Sequence, residues 1–172
     1  MSPIINEWGS KEARIACRDV LDVLTEGRHQ IENASDMILR LESLPESSED
    51  DSQTASYYVM RAVGVLYYCV GAIAAETPIE HTQSACFSLL DLARDVSFVC
   101  SEVSQNTRSS DVTEMYTSTL VSTIELLDAS SLDSEGLSAV QNFARNLAKT
   151  FEDALPSVAQ VHGWGRNGDM LL

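Results

Sequence analysis

The sequence predicts an all-α protein, an antiparallel bundle of about five helices with a long N-terminal helix and a central apolar second helix. Three observations predict it. Apolar residues recur at three- and four-residue steps along most of the 172 residues, as one buried face of an α-helix requires. Proline, glycine and acidic-serine stretches punctuate that pattern at intervals suited to short connections between neighbouring helices. Sustained alternation of apolar and polar residues, the mark of a half-buried strand, does not occur in the sequence.

The first stripe runs Cys17, Val20, Leu24, Gly27, Ile31, Ala34, Ile38, Leu41. Ser10 suits an N-cap and Pro45 forbids continuation. Gly27 costs about 1 kcal/mol relative to alanine, too little to break a well-packed helix. The expectation is therefore one continuous helix of ~33 residues, ~50 Å long, straight or bent at Gly27. Residues 45–52 (Pro-Glu-Ser-Ser-Glu-Asp-Asp-Ser) read as an acidic loop. The second helix is expected from about Gln53 to Ala75, and its run from Val59 to Ala75, broken by Arg61, has no basic flank to anchor it in a bilayer. It reads as the innermost helix of a bundle, not as a membrane span.

Thr77-Pro78-Ile79-Glu80 is the most specific local signal. Thr77 can cap, proline suits the first helical position, and Glu80 completes a capping box. A tight corner at residue 76 or 77 follows. The third helix carries Cys86, Leu89, Ala93, Val96, Cys100 and Val103 on one face. A polar stretch, 105–110, precedes a fourth helix starting at Ser110 or Asp111, with Met115, Leu120, Ile124 and Leu127 inward. The fifth takes Asp133 or Ser134 as its cap, repeats the stripe through Leu137, Val140, Ala144, Leu147 and Phe151, and is expected to end before Pro156. Residues 1–157 then form one helical domain, and 158–172 a glycine-containing arm, docked or mobile. Ile31, Ile38, Leu66, Leu89, Val96, Leu147 and Phe151 are expected in the core.

Charge narrows the partners. Twenty-six Asp and Glu stand against 11 Lys and Arg, a formal net charge of −15. No Lys or Arg lies between Arg40 and Arg61, or between Arg108 and Arg145. Such a chain repels phosphate backbones and anionic lipid and attracts cationic protein surfaces. Direct nucleic-acid or membrane binding is therefore not expected. Cys17, Cys69, Cys86 and Cys100 lie within helical patterns, without metal-finger spacing, and read as reduced thiols of a cytoplasmic protein. Met1 to Gly9 has neither the basic nor the apolar region of a secretory leader.

No catalytic pattern is legible. Gly163-Trp164-Gly165-Arg166-Asn167-Gly168 is a literal GxGxxG, but no strand precedes it and no helix follows to supply free N–H groups to a pyrophosphate. Glu26 and His29 form a single ExxH, where helical di-iron sites use two. No serine sits in a GxSxG elbow, and no Cys–His signature occurs. Lys11, Arg14 and Arg18 cluster on helix 1 but are interleaved with Glu12, Asp19 and Asp22. The chain is accordingly expected not to be an enzyme and to need no cofactor or metal.

The acids are what remain. Glu42, Glu46, Glu49, Asp50 and Asp51 put five negative charges within ten residues, and Asp111, Glu114, Glu125 and Asp128 form a second group. Surfaces that only maintain solubility usually mix both signs. The expectation is a protein-binding protein whose carboxylates dock a basic partner, such as a nucleic-acid-binding enzyme, and occlude its surface or cleft. Immunity proteins, antitoxins and phage-type inhibitors act in this physical way. The alternative is an adaptor or chaperone that holds an amphipathic helix in an apolar groove, with a bundle enzyme or small-molecule binder third.

Overall fold

The computed structural model describes residues 2–25, 33–74, 78–103, 117, 134–165, 168 and 170, with backbone alone at 102–103, 134–137 and 139–140. It is an all-α bundle. The described helices are α1 (Ser2–Trp8), α2 (Lys11–Thr25), α3 (Ala34–Glu42), α4 (Ala55–Ala74), α5 (Pro78–Val103) and α6 (Ser134–His162), with a 3-10 turn at Pro45–Ser48. Among the described residues the sole extended pairing is an isolated bridge between Trp164 and Met170.

Helix α1 was not expected from the sequence. Pro3 occupies its first turn, where a missing N–H costs nothing. Ile4, Ile5 and Trp8 fall on one face and are buried. Ser10 then caps α2 as anticipated, its Oγ accepting the Ala13 N–H at 3.0 Å.

The single long first helix is corrected to two. Arg40 and Asp19, 21 residues apart, form an ion pair of 3.0 Å, whereas one continuous helix would separate them by about 31 Å. The chain therefore doubles back between α2 and α3, and residues 26–32, which include Gly27 and Ile31, lie outside the described set. Length explains the reversal. A ~50 Å rod would outrun the 20-residue α4, which is ~30 Å long. Folding back lets both halves of the stripe reach it, so that Cys17 and Val20 of α2 and Ala34 and Leu41 of α3 are all buried.

Helix α4 is central, as expected, packing against α1, α2, α3, α5 and the 3-10 turn. Thr54 caps it by accepting the Tyr57 N–H at 3.2 Å. Its buried residues include Tyr58, Val59, Ala62, Val63, Leu66 and Val70. By length and composition alone α4 is apolar enough to cross a bilayer; here it is surrounded by other helices. Pro78 opens α5 at its first position, and Thr77 is outside the described residues. The inward face of α5 is largely the expected one: Ala93, Val96 and Cys100 are buried together with Leu92, while Leu89 packs half-buried against the core and Cys86 is half-buried. Phe87 and Phe98, 66% and 67% exposed, point outward. The expected fourth helix falls outside the described residues.

Helix α6 begins at Ser134 as expected but does not stop before Pro156; it runs through the proline to His162. The stripe explains why. Leu147, Phe151, Leu155 and Val158 continue it across the proline, and all four are buried, which outweighs the one lost backbone hydrogen bond. The expected boundary at 157/158 thus falls inside a helix. The helix ends at Gly163, whose φ of +68° is the left-handed conformation glycine tolerates best. The N–H groups of Trp164 and Gly163 donate to the carbonyls of Ala159 at 2.8 Å and Gln160 at 3.3 Å, a Schellman closure. Of the residues that follow, Trp164 is docked, 4% exposed, and Gly168 approaches Ala55 too closely to admit a Cβ. The glycines that resemble a phosphate-binding loop serve as a helix stop and a close approach.

Candidate functional site

Two surface depressions have acids beside apolar walls. The first lies at the corner where α3 turns into α4. Leu44 is buried under the 3-10 turn and Pro45 sets its first position. The five acids of this region do not act as one surface. Glu46 is only 5% exposed; its Oε1 accepts the backbone N–H of Ser10 at 2.7 Å, completing the cap of α2 from 36 residues away. Its inclusion among the docking residues is therefore corrected: it holds the N-terminus of α2, whose dipole favours a carboxylate. Glu46 Oε2 is buried without a hydrogen-bond partner. Glu46 also reinforces the effect of burial on Cys17, whose thiol is pushed up to about 12.

Glu42, Asp50 and Asp51 are exposed and Glu49 half-exposed. Glu49 Oε1 accepts the N–H groups of Asp50 and Asp51 at 3.1 and 3.0 Å, and Asp51 Oδ1 accepts that of Gln53 at 2.9 Å. These bonds fix the loop's shape while leaving its charge unneutralised. Among the described residues, no Lys, Arg or His forms an ion pair with any of the four; the pairs observed use Asp19, Asp91, Asp95 and Asp153. Glu42 also borders a shallow depression of about 210 Å³ over α4, lined by Met60, Val63, Gly64 and Tyr67. The Tyr67 phenol is pushed above its ordinary pKa by burial first, then by the charge and hydrogen bond of Glu42. Asp111, Glu114, Glu125 and Asp128, the second acidic group, lie outside the described residues.

The second depression was not legible as a site in the sequence. It is a groove of about 730 Å³ between α1, the C-terminal half of α6 and the docked Trp164. Trp8, Leu155 and Trp164 make its floor, and Glu7 and Glu152 contribute exposed carboxylates from α1 and α6. The floor is braced from behind. Trp8, Tyr58 and Trp164 meet edge-to-face at 5.3–5.9 Å, His162 stacks on Trp164 at 4.3 Å, and Tyr58 Oη lies 3.3 Å from His162 Nε2. Two described cations of the flanking helices are otherwise engaged: Arg14 of α2 donates to the Glu7 carbonyl at 3.5 Å, and Lys149 of α6 pairs with Asp153 at 3.2 Å. The signal in the sequence was the i, i+4 and i, i+3 stripe continuing past Pro156, which joins the groove's wall to the helix.

Elsewhere, Arg61 pairs with Asp91 at 3.5 Å and with Asp95 at 3.6 Å, while Tyr57 Oη donates to Asp95 at 3.3 Å. Burial lifts the Asp95 carboxyl above its usual range, against the lowering effects of Arg61 and Tyr57. All four cysteines are free thiols. Among the described residues, no group of three His, Cys, Asp or Glu side chains is placed to hold a metal ion. No known family, curated protein or solved structure matches the chain.

Proposed function

We propose that this chain is a protein-binding protein that docks a basic partner and occludes its surface or cleft, in the manner of immunity proteins, antitoxins and phage-type inhibitors. The observation that carries this reading is a set of carboxylates at the α3–α4 corner, Glu42 at the end of α3 and Glu49, Asp50 and Asp51 in a loop fixed by its own hydrogen bonds, with no cation paired to them among the described residues. A chain of net charge −15 accelerates and orients encounter with a cationic surface, and the carboxylates stand where substrate phosphates would otherwise bind. Capture from a native lysate at low and high salt tests it, with wild type compared to Glu42→Gln/Glu49→Gln/Asp50→Asn/Asp51→Asn. Basic proteins retained at low salt by wild type and lost by the variant support the reading. Identical retention by both, or none, refutes it.

A second reading, an adaptor that holds an amphipathic segment, is favoured by the groove between α1 and α6, whose floor is two tryptophans and a leucine. Such binding would depend less on salt than docking at the loop.

A further inference from the structure

We propose that the groove between α1 and α6 is a second docking site, which receives an amphipathic segment bearing lysine or arginine from a protein partner. The inference deepens the adaptor reading and rests on it. Three features of the groove select this chemistry. Its floor, Trp8, Leu155 and Trp164, is apolar but nearly sealed, 4–6% exposed, and Pro3, Ala148, Pro156 and Ala159 above it supply the accessible apolar surface for side chains of an amphipathic segment. Among the described residues, its ionisable lining groups are Glu7 and Glu152, one on each helical wall. Pro156, also in the lining, has no N–H to hold the carbonyl of Glu152, its ordinary partner four residues back in the helix. The walls thus carry two carboxylates and a backbone carbonyl that a cationic donor can satisfy.

The same features disfavour other occupants. An acidic or neutral apolar helix would leave two carboxylates desolvated and unpaired. A second copy of the chain would bring another −15 of charge against the first. The site is also rigid: the tryptophans are locked by Tyr58 and His162, so binding costs little reorganisation.

The chain's two tryptophans both line the groove, so intrinsic fluorescence reports its occupation without a label. The probe is a tryptophan-free amphipathic Leu/Lys peptide of about 14 residues, with the Leu/Glu peptide of the same pattern as control. The expected result is a saturable change in tryptophan emission with Leu/Lys and none with Leu/Glu. Glu7→Gln/Glu152→Gln should weaken binding about fivefold to tenfold, and Ala148→Leu, which narrows the groove, should weaken it further while circular dichroism and melting stay as in wild type. Neutralising Glu49, Asp50 and Asp51 should leave the emission change in place. No emission change, an equal one with Leu/Glu (an apolar site), or indifference to the groove variants overturns the proposal. If the peptide instead binds without an emission change and is released by the loop variant, the groove fails while docking at the loop stands.

Discussion

Arg40 and Asp19 meet at 3.0 Å although 21 residues separate them, and this contact fixes the course of the N-terminal third of the chain. It requires α2 and α3 to lie side by side on α4, with both parts of one apolar stripe buried by the same central helix.

That reversal predicts a short distance. In a background with the native cysteines replaced, nitroxide labels at the exposed positions Arg18 and Leu39 should lie clearly closer than the ~31 Å of an uninterrupted helix. A distribution centred at that length would restore the single long helix.

Two glycines of α4 should respond oppositely to the same substitution. A Cβ at Gly64 meets nothing within 4 Å, whereas one at Gly71 would lie 2.7 Å from His81 Nδ1. Gly64→Ala should stabilise by about 0.5–1 kcal/mol through helix propensity. Gly71→Ala should destabilise by about 1–3 kcal/mol through overpacking against α5. Urea unfolding of both variants checks this; like-signed effects would mean that the α4–α5 contact is wrong.

Glu46 should behave as a structural residue. Glu46→Ala leaves the Ser10 N–H at the start of α2 without its acceptor and should cost about 1.5–3 kcal/mol. Glu46→Gln, which keeps an acceptor oxygen, should cost less. A change below about 0.5 kcal/mol for Glu46→Ala would return this residue to the surface group.

Tyr67 should titrate above ordinary tyrosines, because burial and Glu42 both oppose its phenolate. The unfolded chain therefore releases this proton first. The contribution to stability is complete below the unfolded pKa and is lost as pH rises through the folded one. Ultraviolet titration should show the late phenol, and Glu42→Gln should move it toward, but not to, the ordinary value. An unmoved titration would separate Glu42 from Tyr67.

Much of this fold is legible in the sequence because its helices are amphipathic and their starts are chemically marked. Ser10 caps α2 and Pro78 opens α5 where the sequence places them. The misreadings arose where tertiary contacts overrode local signals. Pro156 is a strong stop in isolation, yet Leu155 and Val158 bury enough surface to carry α6 through it. Cys17 to Leu41 keeps perfect heptad spacing through a reversal, because each half is itself a helix against the same partner. Leu89 is only half-buried while Leu92 is fully buried, since α5 presents a face set by its neighbours. The acids at 42–51 are conspicuous in the sequence, but nothing local separates Glu46, drawn inward by the N-terminus of α2, from its exposed neighbours. The α1–α6 groove was hidden more completely, because it is made by residues more than 140 positions apart.

The most direct measurement is the association rate of a captured basic partner across an ionic-strength series, for wild type and for the variant with Glu42, Glu49, Asp50 and Asp51 neutralised. Loop charges carry little stability, so the variant should melt as wild type does. Docking through this corner requires a wild-type rate that falls steeply with salt and a variant whose rate is slower and flatter. Superimposable curves, or a wild-type rate indifferent to salt, would contradict electrostatic docking at the α3–α4 corner.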